Sequence, residues 1–158
     1  MKKAIIIGAS SGIGKGISME LLKKNYKIAI TARRKDKLEE IKILYPDNVI
    51  VYPFDSSNEK NDEMLQYLTK KLGGLDLLIY SSGIGIVNKD LEYGIEKKVN
   101  NLNVNGFTQV IGWGFNYFKN QGYGQISNIS SVASEIGNGI CPSYNASKAY
   151  QANYLQEL

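Results

Sequence analysis

The chain has 158 residues, 43% of them hydrophobic, enough for one globular domain with a sizeable core. A single cysteine, Cys141, excludes an internal disulfide framework and points to a reducing compartment; with no histidine at all, no metal site is expected. The net charge of +4 is uneven, with 11 Lys/Arg against 4 Asp/Glu in residues 1–45, but no aromatic residues interleave with these lysines, which favours an anionic ligand over nucleic acid.

Met1-Lys2-Lys3 precedes an apolar run too short for a secretory signal, and no stretch approaches the ~20 apolar residues of a membrane span, so a cytoplasmic protein without membrane contact is expected. Residues 3–7 read as a strand buried on both faces. Ile13, Ile17 and Leu21 recur every four positions and predict a helix that packs this stripe on the sheet. Lys27 to Thr31 make a second strand, and Leu38, Ile41 and Tyr45 a short helix stopped by Pro46. Val49 to Tyr52 form a third strand, followed by a helix with Met64, Leu68 and Leu72 that ends at Gly73-Gly74. Leu77 to Tyr80 are the fourth strand. A long helical region runs from about Leu91 to Asn120, with Val110, Trp113 and Tyr117 on one stripe; Gln125 to Ile129 are a fifth strand; Ser143, as N-cap, opens a last helix to Leu158. Strand and helix alternate throughout. The expectation is a single α/β domain over residues 1–158, a three-layer doubly wound parallel sheet of Rossmann-like kind in strand order 3-2-1-4-5. Its fifth strand should be an exposed edge.

Ligands of such sheets bind beyond the carboxyl ends of the strands. The most telling of these places is Ile7-Gly8-Ala9-Ser10-Ser11-Gly12-Ile13-Gly14, where a strand breaks into three glycines and turns into a helix. Glycine permits so tight a turn and lets a ligand approach the main chain, and the helix N-terminus offers unpaired N–H groups to a phosphate. Ser10 and Ser11 add hydroxyls. A plain tight turn is the bland alternative. The P-loop of phosphate-transferring enzymes fails, because Ala9 and Gly16 stand where it needs Gly and Ser or Thr. The other strand-end residues singled out are Asp55, Ser56, Tyr80, Ser82, Gly83 and Ser131. Arg33 and Arg34 end the second strand, where an acid would favour a free ribose 2′-hydroxyl; Ala32 removes the acid and Arg33 offers a donor fork for a 2′-phosphate. NADP(H) is therefore favoured over NAD(H) as cofactor.

Tyr144 and Lys148 are four apart and share one helix face, where an ammonium would lower the phenol's pKa and make it a useful proton donor. Tyr67/Lys71 and Tyr93/Lys97 have the same spacing, so the pair alone decides nothing. Its company does. Gly8-Ala-Ser-Ser-Gly12-Ile-Gly14, Asp76-Leu-Leu-Ile-Tyr-Ser-Ser-Gly83, Asn103-Val-Asn-Gly106, Ile126-Ser-Asn-Ile-Ser-Ser131 and Tyr144-Asn-Ala-Ser-Lys148 occur in that order. They resemble, in order and approximate spacing, the motifs of the short-chain dehydrogenases/reductases. The resemblance implies a catalytic set of Asn103, Ser131, Tyr144 and Lys148, in which Tyr144 protonates a substrate oxygen held by Ser131. Lys148 would grip the nicotinamide ribose and Asn103 would hold a water linking Lys148 to solvent. Asp55 matches the position that contacts the adenine.

Two departures stand out. Tyr80-Ser81-Ser82-Gly83 replaces the expected Asn-Asn-Ala-Gly, and the chain ends at Leu158 where the resemblance implies two more strands and the substrate-covering helices. The expected activity is an NADP(H)-dependent interconversion of a small-molecule carbonyl and alcohol; the alternative is a dinucleotide-binding module without turnover. A homodimer or homotetramer of the full-length protein is expected through the helices around Trp113–Phe118 and Tyr144–Leu158.

Overall fold

Four strand-to-helix units and a fifth strand build one sheet. The structure, a computed structural model, describes residues 1–137 and 139–158. The strands are β1 (Lys3–Ile7), β2 (Lys27–Ala32), β3 (Val49–Pro53), β4 (Leu77–Tyr80) and β5 (Gln125–Asn128). All pair in parallel in the order β3-β2-β1-β4-β5, so their carboxyl ends open on one side. The edge position of β5 is as the sequence predicts; among the described residues it pairs with β4 alone, and it exposes Gln125.

The helices are α1 (Gly12–Lys23), α2 (Lys35–Leu44), α3 (Asn61–Leu72), α4 (Tyr93–Asn100), α5 (Phe107–Gln121) and α6 (Pro142–Gln156). Between α4 and α5 the helix is widened into a π-helical stretch, Asn101–Gly106, so that residues 93–121 run as one rod. Such bulges gather at functional sites.

Both faces of β1 are apolar because both are covered. Ile5 and Ile7 pack with Leu65, Leu68, Phe107 and Ile111 of α3 and α5, whereas Ala4 and Ile6 pack with Leu22, Leu38 and Ile41 of α1 and α2. The alternation is the period of two of a strand held between two layers. Each isoleucine buried this way contributes ~1.5–3 kcal/mol. Gly73 closes α3 in the left-handed conformation, its N–H and that of Gly74 both donating to the Thr69 carbonyl at 3.0 Å.

Two expectations are corrected. The fully buried stripe of α1 is Gly14, Ser18 and Leu22; of the expected stripe, Ile17 and Leu21 pack against the core partly buried, while Ile13 is 61% exposed. The cause is the closeness of α1 to β1: a Cβ at position 14 would press on the Gly8 carbonyl oxygen and lie 3.0 Å from its carbon. Only small residues fit there, and the Ser18 hydroxyl is satisfied by the Gly14 carbonyl at 2.8 Å. Ser143 is not the N-cap of α6. Cys141 holds that position with Pro142 in the first turn, and the Ser143 hydroxyl donates instead to Glu96 of α4. Val110 is fully buried, while Trp113 and Tyr117 are half-buried and stack on each other, centroids 5.1 Å apart, in a groove beside α3.

Candidate active site

The turns that follow the strands are held to one another by main-chain bonds. Gly8 and Ala9 donate to the Thr31 carbonyl at 2.8 and 3.1 Å, Ser81 donates to Ile7 at 2.8 Å, and Ile129 donates to Tyr80 at 3.0 Å. Gly8, at φ 92°, is the crossing point: a Cβ there would sit 2.7 Å from the Ser82 nitrogen. Over these turns opens a cavity of about 740 Å³. One end is formed by Ser10, Ser11, Gly12, Ile13, Arg33 and Arg34, the floor by Gly8, Asp55, Ser56, Ser82 and Gly83, and the other end by Ser131, Tyr144 and Lys148. Its charged residues are Arg33, Arg34, Lys148 and Asp55, a net positive lining suited to a polyanion.

At the first end, Ser11 is extended and α1 begins at Gly12. The Arg34 guanidinium donates to Ser10 Oγ at 3.0 Å and Ser11 Oγ at 2.7 Å, which holds the arginine over the turn. Arg33 is exposed at the rim. On the floor, Asp55 Oδ1 accepts from the Ser57 N–H at 3.0 Å and its hydroxyl at 2.8 Å. Tyr80, expected here, is turned away: its ring is fully buried edge-on to Phe107, and its hydroxyl donates to the Leu102 carbonyl at 2.8 Å. Burial, with Asp55 nearby, pushes that phenol well above its ordinary range. Gly14 lies behind the turn, where its role is the close contact with Gly8.

At the other end, the first turns of α6 present Tyr144 and Lys148. Lys148 is 5% exposed, with its ammonium 6.0 Å from the centre of the Tyr144 ring. Burial lowers its pKa. Lys71 lies as near to the Tyr67 ring, at 5.5 Å, but both those residues are on the surface, away from the cavity. What distinguishes Tyr144/Lys148 is that both line the cavity, with Tyr144 half-buried and Lys148 buried. Ser131 Oγ accepts from the Ala133 N–H at 3.2 Å, which leaves the hydroxyl proton to be given elsewhere.

Asn103 is fully buried in the π-helical stretch. Its side chain accepts from the Ile84 N–H at 3.0 Å and donates to the Ile84 carbonyl at 2.9 Å and to Ser147 Oγ at 3.0 Å, clamping the turn after β4 to α6. Its carbonyl accepts from the Gln151 amide at 2.7 Å, and the Gln151 oxygen accepts from Lys148 at 3.0 Å. Gln151 thus bridges the Asn103 main chain and the Lys148 ammonium. Sequence reasoning missed Gln151 and Ser147; the signal was a run of polar residues on the face of α6 shared with Tyr144 and Lys148.

A second clasp lies above the site. Glu96 accepts from Asn88 and from Ser143, and Asn88 bonds the Ile140 carbonyl through its N–H at 2.8 Å. These bonds tie the loop before α4 to the start of α6, one residue from Tyr144. The Ser143 and Asn88 bonds hold the Glu96 carboxyl below its ordinary range. A depressed carboxylate contributes stability that is present above the unfolded value and is lost as pH falls through the folded one. Acidification through and below the ordinary carboxylate range should therefore lower the melting temperature of the parent more steeply than that of Glu96→Gln. Parallel slopes in thermal melts down to about pH 3 would show that the clasp carries no such dependence.

Among the described residues no group of His, Cys, Asp and Glu could hold a metal ion, and no helix is long and apolar enough to cross a membrane. The chain is 30% identical to an uncharacterized oxidoreductase of Staphylococcus aureus, over 99% of this chain and 70% of that protein. The structure of ElxO with NADP bound superposes with a TM-score of 0.87 at 27% identity, over 98% of this chain and 64% of that one. The structure of 3-ketoacyl-(acyl-carrier-protein) reductase from Brucella melitensis complexed with NADH superposes with a TM-score of 0.91 at 25% identity, over 99% of this chain and 68% of that one. The short chain dehydrogenase profile matches residues 2–158, and the chain belongs to that family.

Proposed function

We propose that the protein is an NADP(H)-dependent oxidoreductase that interconverts a small-molecule carbonyl and an alcohol. The observation that carries the reading is one cavity with a glycine turn and two arginines at one end and Tyr144 beside a buried Lys148 at the other. The turn fits a dinucleotide: it runs into the N-terminus of α1 at Gly12, where a helix offers unpaired N–H groups to a phosphate, and Ser10, Ser11 and Arg34 add donors. When bound, the nicotinamide gives a hydride to the carbonyl carbon or takes one from the alcohol carbon. Tyr144 gives the oxygen its proton, or removes it in the other direction, and Ser131 donates a hydrogen bond to the same oxygen. Lys148 stabilises the phenolate that remains and holds the nicotinamide ribose. Cofactor oxidation with a panel of small ketones tests the reading, and binding of NADPH without turnover by the full-length protein would favour the non-catalytic alternative.

Preference for the phosphorylated cofactor rests on Ala32, which leaves no carboxylate at the end of β2, and on the two arginines that follow it. Of these, Arg34 is already anchored over the turn and Arg33 is the free donor at the rim. Losing a charge-assisted phosphate contact costs ~1.5–3 kcal/mol. Arg33→Ala and Arg34→Ala should each narrow the gap between NADPH and NADH by weakening NADPH. Calorimetry showing equal affinities in the parent would remove the preference altogether. A cytoplasmic homodimer or homotetramer is part of the same reading, with α5 and α6 as the paired helices; light scattering of a concentrated full-length monomer would contradict it.

A further inference from the structure

Tyr144, Ser147, Lys148 and Gln151 follow the i, i+3, i+4 and i+7 spacing of one helix face, and the last three are 1%, 5% and 0% exposed. A fully buried glutamine is costly unless its amide is satisfied at both ends. Here it is. The Gln151 oxygen accepts from the Lys148 ammonium at 3.0 Å and from Asn128 Nδ2 of β5 at 3.2 Å, while its NH₂ group donates to the Asn103 carbonyl at 2.7 Å. Turning the amide over would set its NH₂ against two donors and its oxygen against a carbonyl, so a single orientation is allowed.

We propose that Gln151 is a positioning residue for the reaction, a rigid strut between the Asn103 main chain and the Lys148 ammonium that fixes the direction in which the ammonium acts. The inference rests on the proposed role of Lys148 beside Tyr144. Its logic is that of a tripod. An ammonium has three N–H bonds in fixed relation. One is taken by Gln151 and one by the Ile129 carbonyl at 2.9 Å. The third direction is then determined, and the ammonium lines the cavity above Gly83, where a Cβ would stand 3.6 Å from it. Asn103 is itself immobilised by Ile84 and Ser147, so the far end of the strut does not move.

The groups that face Lys148 are Tyr144 and Gln151 on its own helix, Ile129 after β5, Gly83 after β4, and Asn103 of the π-helical stretch. Tyr144 is the one titratable group among them. No carboxylate is in that set; Glu96 is engaged by Ser143 and Asn88, and Asp55 by Ser57. The orientation of the ammonium therefore bears directly on the phenol. If the strut is removed, the ammonium keeps one fixed bond and swings, so it no longer faces the phenolate oxygen from one fixed direction and stabilises that charge less.

The decisive comparison is between the full-length parent and Gln151→Met, which keeps an unbranched side chain of similar length but neither polar end. The readouts are the pH profile of alcohol oxidation and the pH titration of the Lys148 side chain, followed by 13C-lysine NMR and assigned by its loss in Lys148→Met. Oxidation needs the phenolate, so the acid limb of kcat should move up by about one pH unit. The kcat on its plateau should fall about 10- to 100-fold, and the cofactor KM should change only a few-fold. A residue that merely filled space would lower the melting temperature and leave the limb in place. An unmoved limb with kcat within about two-fold of the parent, in a folded variant, overturns the proposal. Should Gln151→Met fail to fold, Gln151→Glu serves: its carboxylate neutralises the ammonium and opposes the Asn103 carbonyl, and the limb must again move up. Should the parent show no turnover, the proposed function falls, and the Lys148 titration decides alone. A titration displaced in the variant supports the strut, and an identical one refutes it.

Discussion

Tyr144→Phe should abolish most turnover in the full-length protein while leaving NADPH affinity nearly unchanged. The substitution keeps the ring, and with it the packing against Gly85, where a Cβ would lie 3.2 Å from the ring carbons. It removes the proton that the proposed reaction delivers to the substrate oxygen. A positioned general acid is worth ~10²–10⁴ in rate, so a loss of at least that size is expected. Ser131 can hold the oxygen but has an ordinary alcohol's acidity, and Lys148 is committed to Ile129 and Gln151. Neither takes over. Tyr67→Phe and Tyr93→Phe are the controls, since those rings stand 46% and 76% exposed and away from the cavity. Steady-state kinetics in which Tyr144→Phe keeps most of its kcat would reassign the proton donor.

Gly14→Ala should damage stability and cofactor binding together. The added methyl has no room: it presses on the Gly8 carbonyl oxygen, lies 3.0 Å from the Gly8 carbon and 3.1 Å from Ser81 Oγ. Two of these are main-chain atoms that cannot swing aside, so α1 must lift off β1. Overpacking of this kind costs ~1–3 kcal/mol and sometimes more. At ~2–4 °C per kcal/mol for a chain of this size, a fall of roughly 5–10 °C in Tm is expected. Because the displaced atoms belong to the turn over which Arg34, Ser10 and Ser11 sit, NADPH affinity should fall by at least about tenfold, the effect of ~1.4 kcal/mol. Gly16→Ala makes the contrast sharp. Nothing lies within 4 Å of a Cβ there, and alanine in a helix interior is favoured over glycine by ~0.5–1 kcal/mol. Differential scanning calorimetry that ranks Gly14→Ala level with Gly16→Ala would refute the close-contact account.

The sheet was legible because its cause is periodic. Apolar runs of four to six residues broken by Gly, Pro or charge mark β1 to β4, and the helices between them follow from their spacing. The glycine turn was legible because backbone geometry leaves few residue types that fit. Where the reading of α1 failed, the closest contact is made by Gly14 and Ser18, which a search for apolar residues passes over. Ser143 failed for another reason: a hydroxyl at a helix start is a cap by local rules, and its actual partner, Glu96, is 47 positions away. Gln151 could not be told from Asn153 or Gln156 by type or helix alone. Its role depends on where β5 and the π-helical stretch come to rest against α6.

That π-helical stretch sets a limit on chain length. Its hydrogen bonds reach one residue further than those of an α-helix, so the rod of α4 and α5 takes up an extra residue in one wide turn. On one side of that turn, Gly106 touches the β3 turn, where a Cβ would stand 3.0 Å from the Ser56 carbonyl carbon. On another, Asn103 meets Ser147 and Gln151. Deleting one residue here would let the wide turn close to an α-helical one, with α4 and α5 keeping their phase. Asn103 and Gly106 would then lie in a narrower turn and could no longer both keep their contacts. A further insertion, with no more width to take it up, would turn α4 by about 100° relative to α5 and carry Glu96 away from Ser143. A surface loop of this fold can absorb a change of one residue; this helix cannot.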